Sequence, residues 1–140
     1  MAHRIMVYKT PDFLRHTAKG TIDLARSIQA VHDLARVANF HRDHDILLDL
    51  RETVVQGGAA DAIQLATEFV RLREAFRNRI AVVIPDEAQR IAKAEFMRAC
   101  MHLEGFRWEF FMAYEDALDW LSEITVLDAL PGPQGDRMED

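Results

Sequence analysis

Two unbroken apolar runs, Ile46-Leu47-Leu48 and Ile80-Ala81-Val82-Val83-Ile84, constrain this chain more than any other feature. Neither alternates with polar residues, so neither reads as a strand with one wet face. Each has strand length, and each is followed by a polar segment and then a helical pattern. Strands of this kind lie mid-sheet with helices above and below, the arrangement of a parallel sheet. The rest of the chain fits around them. Leu24, Ile28, Val31, Ala35 and Ala38 recur at helical spacing after Gly20, with Thr21 or Asp23 as the cap. Residues 59–77 predict a second helix, with Ile63, Ala66 and Val70 on one seam and Leu65, Phe69, Leu72 and Phe76 on the next. After Pro85, Asp86 and Gln89 form a capping-box signature that opens a third helix. Its predicted inward residues are Ile91, Ala92, Phe96, Ala99, Cys100 and Leu103, and Gly105 ends it.

Phe106, Trp108, Phe110 and Met112 have the period of a strand covered mainly on one face, which places them toward a sheet edge. A short helix over Glu115 to Glu123 follows. At the other end, Arg4 to Tyr8 and Phe13 to Ala18 read as a hairpin around Thr10-Pro11-Asp12. The expected fold class is α/β: a single-layer mixed, largely parallel sheet flanked by helices, in the order β-β-α-β-α-β-α-β-α. One domain over residues 1–124 and an acidic flexible tail over 125–140 are the expected organisation for 140 residues. The tail dominates the charge. Residues 113–140 carry eight acids against Arg137, so the net charge of -6 leaves the body nearly neutral. A neutral body lacks the basic excess that holds a phosphate backbone, which argues against nucleic acid as a partner. The lone Cys100 excludes an internal disulfide and suits a reducing, cytoplasmic setting, and no apolar run is long enough to span a membrane.

No constellation in the sequence assembles a reaction centre. Cys100 sits on an inward helical stripe with His102 facing elsewhere, and neither Ser27 nor Ser122 lies in a nucleophile elbow. His41-Arg42-Asp43-His44-Asp45 gathers four possible metal ligands, but directly before a strand it reads as a solvated connection. Arg71, Arg73, Arg77 and Arg79 complement the carbonyl end of the second helix. The reading is therefore not an enzyme, with no catalytic residues, no metal and no cofactor. Two regions can bind. The segment from Asp49 to Gly58 leaves the carboxyl edge of a buried strand, where ligands and partners meet α/β sheets. Thr53, Gln56, Gly57 and Gly58 are its candidate contacts for a partner or an anion, although no phosphate-cradling glycine motif is present. Phe69, Phe96, Trp108 and Phe110 are candidates to line an apolar pocket, with core packing as the plainer alternative.

Gly20-Thr21-Ile22-Asp23, Ile46-Leu47-Leu48-Asp49-Leu50-Arg51, Arg79-Ile80-Ala81-Val82-Val83, Ala94-Glu95-Phe96 and Ala117-Leu118-Asp119-Trp120-Leu121 follow one another at spacings that resemble a known family. These are the STAS-like proteins related to anti-sigma-factor antagonists, in a small bacterial branch similar to CRAL-TRIO lipid carriers. The resemblance covers residues 4–123. It implies a non-catalytic regulatory domain that shows a partner protein the loop after the Asp49 strand and the helix beyond. In antagonists that loop carries a serine that is switched by phosphorylation. Here the serine region holds Gln56, Gly57 and Gly58, and the nearby hydroxyl, Thr53, comes too early. The first functional expectation is thus a protein-interaction module. The second is a carrier or sensor of an apolar, lipid-like molecule held between helices and sheet. A homodimer is expected from the open sheet edge.

Overall fold

The computed structural model of the chain describes residues 7–8 and 13–124. Its strands are β1 (Val7–Tyr8), β2 (Phe13–Ile22), β3 (Asp45–Val55), β4 (Ile80–Val83), β5 (Trp108–Phe111) and β6 (Glu123–Ile124). Both apolar runs are central. Four strands form a parallel sheet in the order β2-β3-β4-β5, with Ile46 opposite Ile80 and Ile80 opposite Trp108. Leu47, Ala81 and Val83 are each fully buried, as the absence of any polar residue in the runs requires.

A sheet whose strands follow in chain order, joined by right-handed crossovers, carries all its crossover helices on one face. Accordingly α1 (Leu24–Phe40), α2 (Ala59–Arg71) and α3 (Ala88–Leu103) share a core with Ile46, Leu48, Ile80 and Val82. On the other face α4 (Tyr114–Ser122) brings Ala117 and Leu121 against Leu47, Ala81 and Val83. The alternation of side chains along β3 and β4 thus supplies two cores from one pair of strands. Asp23 caps α1 by accepting from the Arg26 amide at 2.8 Å. Gly105 adopts φ +87 just past α3, where its amide donates to the His102 carbonyl at 3.0 Å, the left-handed stop that glycine permits. Among the described residues no helix is long and apolar enough to cross a membrane.

Several sequence expectations need correction. The described strands do not pair as the expected N-terminal hairpin, whose turn at Thr10-Pro11-Asp12 lies outside the described residues: β1 pairs antiparallel with β6, and β2 pairs parallel with β3, so the four-stranded sheet is wholly parallel. Helix α2 stops at Arg71, and a single 3-10 turn at Arg73–Ala75 carries Phe76 into the core. Its seam residue Ile63 is 52% exposed. On α3 the buried stripe is Arg90, Ala94, Met97 and Met101, one position round from the expected face, while Leu103 is 85% and Phe96 39% exposed. The anticipated capping box is absent, since the N-cap is Glu87 and its side chain makes no cap hydrogen bond. Residues 125–140, expected to be a flexible tail, lie outside the described residues.

Candidate functional site

The strand that opens the candidate loop runs further than its polar sequence suggests. Beyond Asp49 the partner β4 ends, and β3 continues against β2 alone. An irregularity between Thr17 and Lys19 resets the register, after which Lys19 to Ile22 pair with Glu52 to Val55. Thr53 therefore belongs to a strand and is 4% exposed; the connection proper is only Gln56, Gly57 and Gly58. The Gln56 amide donates to the Ile22 carbonyl at 2.9 Å. Gly57 turns with φ +100, beneath Asp61 of α2, and Gly58 is the N-cap with open space where a side chain would be.

The buried end of this ribbon is tied to α3 by a cation. Arg90, 7% exposed, donates to the Thr53 carbonyl and to the Thr53 hydroxyl, each at 2.9 Å, and that hydroxyl donates in turn to the Leu50 carbonyl at 2.7 Å. Burial pushes the Arg90 guanidinium below its usual pKa, and the nearby charge of Glu87 opposes the shift. One turn along α3, Lys93 donates to the Val55 carbonyl at 2.9 Å. A separate pair lies back along β3. The Asp49 carboxylate accepts from Arg51 at 2.9 and 2.8 Å, and those hydrogen bonds hold it below the ordinary carboxylate range against the opposing effect of burial.

Between the α1–α3 layer and the sheet lies a cleft of about 1200 Å³. That exceeds the roughly 300–1,000 Å³ typical of small-molecule sites. It opens because α1 packs chiefly on α2 and the 3-10 turn, leaving β2 largely uncovered beneath it. The helices facing it contribute small residues, Ala30, Ala59, Ala62 and Ala94, where larger ones would fill the gap. Its apolar wall includes Leu34, Leu48, Leu65, Phe69, Val82 and Trp108. At the carboxyl edge of the sheet it is bounded by Gln56, Gly57, Gly58, Arg90 and Lys93.

The two candidate regions read separately from sequence are thus one place. Gln56, Gly57, Gly58, Phe69, Phe96 and Trp108 all line the cleft. Thr53 stands behind Arg90, and Phe110 packs against the core beside Trp108, their ring centroids 6.4 Å apart. Sequence reasoning passed over Arg90, Lys93 and the alanines. An arginine falling in register with Ala94, Met97 and Met101 was the available signal. Three of the arginines expected at the end of the second helix are engaged elsewhere: Arg79 with Asp45 at 2.9 Å and with the Trp120 and Leu121 carbonyls, Arg73 with Glu104, and Arg77 with Glu74. Only Arg71 of the four expected at the helix end lies on α2. Among the described residues no three His, Cys, Asp or Glu side chains converge as metal ligands.

A solved structure from Shewanella loihica PV-4, described as an uncharacterized protein of the DUF3478 family with a SpoIIAA-like fold, superimposes on this chain with a TM-score of 0.52. The match covers 86% of this chain and 98% of that one at 21% identity. The chain has a SpoIIAA-like fold. No family model and no curated protein matches it. The likeness bears out the STAS-like architecture expected from the order of the motifs, and at this identity it extends to the fold alone.

Proposed function

We propose that this SpoIIAA-like domain is a non-catalytic binding domain that takes an apolar small molecule into the cleft between α1–α3 and the sheet, as a carrier or sensor. The observation that carries the reading is the cleft itself: its depth is walled by Leu34, Leu65, Phe69 and Trp108, and its carboxyl-edge end is closed by a three-residue connection. Apolar walls in a preformed concavity favour removal of an apolar molecule from water. Native mass spectrometry after titration with 1-dodecanol tests it. One alcohol bound per chain is expected, with loss in Ala62→Trp, which fills the cleft from α2. No adduct at any concentration below alcohol self-association would refute the reading.

The protein-interaction module, ranked first from sequence, is favoured by a different observation. Val54 and Ile63, in sequence on either side of the Gln56 to Gly58 connection, are 65% and 52% exposed, apolar surface that a partner protein could cover. Gly58→Arg is the appropriate probe for it, because position 58 faces open space while position 57 is conformationally restricted.

A further inference from the structure

Arg90 is buried, yet among the described residues no carboxylate stands within 4.0 Å of its guanidinium: Glu87 acts on it only from beyond that distance, and its contacts are the Thr53 carbonyl and hydroxyl. Removing a full charge from water without a counter-charge is costly, so a buried cation normally has an anion beside it. Lys93, one turn on and also lining the cleft, is likewise held by a carbonyl and by no described carboxylate. The other charged groups of the lining do not supply the missing anion. Arg15 pairs with Asp49 and Lys19 with Glu52, Arg26 is spent on the Thr21 and Lys19 carbonyls, Asp33 on Arg36 and Gln29, and Asp61 sits over Gly57.

The inward stripe of α3 sets the direction. It begins at Arg90 and passes through Ala94 to Met97, all buried and all on the cleft wall, a rise of roughly 10 Å from cation to thioether. Along this wall the cleft therefore passes from the cationic donors of Arg90 and Lys93 to the apolar Met97. Two of the five guanidinium N–H groups serve Thr53, which leaves donors in the planar fork that matches a carboxylate.

We propose that the ligand is an acidic amphiphile, its apolar body against Phe69, Met97 and Trp108 and its terminal carboxylate accepting hydrogen bonds from Arg90 and Lys93. This rests on the cleft-binding reading above, and the test separates the two. Calorimetric titration of the whole chain compares dodecanoate with 1-dodecanol, which has the same tail and no charge. Dodecanoate is expected to bind at least about tenfold more tightly, the scale of one charge-assisted hydrogen-bonded contact. Lys93→Met lowers dodecanoate affinity several-fold while dodecanol affinity stays within about twofold. Arg90→Gln lowers it further, and retained dodecanol binding shows that this variant is folded. Equal affinity of the wild type for acid and alcohol, or preference for the alcohol, overturns the acidic head and leaves the apolar site standing. Failure of both probes to bind overturns both.

Discussion

Arg90 on α3 and Thr53 on β3 are joined by two hydrogen bonds of 2.9 Å, one to the threonine carbonyl and one to its hydroxyl. The pair fastens the overhanging end of the β2–β3 ribbon to the third crossover helix, and so fixes the end of the cleft where the Gln56 to Gly58 connection lies. Removing the hydroxyl takes the acceptor from one N–H group of the buried guanidinium and leaves the bond to the Thr53 carbonyl. Thr53→Val is expected to lower unfolding free energy by about 1–3 kcal/mol in urea titrations, whereas Thr53→Ser, which keeps the acceptor, costs under about 1 kcal/mol. Equal midpoints for the wild type and Thr53→Val would show that the bond contributes nothing.

The two glycines of the connection are expected to behave differently. Gly57 has φ +100, and an added Cβ would overlap the Asp61 carboxylate, so Gly57→Ala combines backbone strain with displacement of Asp61. A loss of roughly 1–2 kcal/mol follows. Gly58 meets nothing within 4 Å, and Gly58→Ala is expected to stay within about 0.5 kcal/mol of wild type. Thermal unfolding of the two variants side by side distinguishes them.

Two phenylalanines assigned to the same pocket from sequence have unlike surroundings. Phe69 is 3% exposed and meets Phe76 edge-on with centroids 4.8 Å apart; Phe96 is 39% exposed. Phe69→Ala is expected to cost about 3–5 kcal/mol and Phe96→Ala under about 1 kcal/mol in chemical denaturation. A large loss at position 96 would mean that α3 is rotated from the orientation described.

Acid sensitivity is expected at Asp49. Its folded-state pKa is lowered from 3.8, chiefly by the side-chain hydrogen bonds from Arg51, so the carboxylate stabilises the fold above the unfolded-state value. That contribution declines as pH falls through the depressed folded-state pKa. The stability gap between the wild type and Asp49→Asn, about 1 kcal/mol near neutrality, is expected to narrow progressively as pH falls below the unfolded-state value of 3.8. A gap independent of pH in denaturation curves would exclude the ionised pair as its source.

Much of the architecture was legible because the decisive residues carry one meaning. Leu47, Ala81 and Val83 admit no wet face, and Asp23 and Gly105 mark helix ends by local chemistry that tertiary packing did not override. The errors arose where packing over-rode polarity. Arg51-Glu52-Thr53 looks like a loop, yet it is a strand because β2 outruns β4 and offers a partner. The face of α3 was misplaced because Arg90, buried through its bonds to Thr53, broke the apolar stripe to which it belongs. The cleft was half legible. Phe69 and Trp108 were candidates by type, but the space beside them comes from alanines on separate helices, and no single segment reveals that they face one another.

The chain has two tryptophans, and the sheet separates them. Trp108 lines the cleft, while Trp120 lies on the α4 face with Phe111 and beneath Arg79. Their two indole N–H resonances in a proton–nitrogen correlation spectrum therefore report binding on opposite sides of the molecule. Titration with dodecanoate below its self-association concentration is expected to move the Trp108 signal to saturation at one equivalent and leave that of Trp120 in place. Two unmoved signals, or two that drift together without saturating, would contradict a ligand in the cleft.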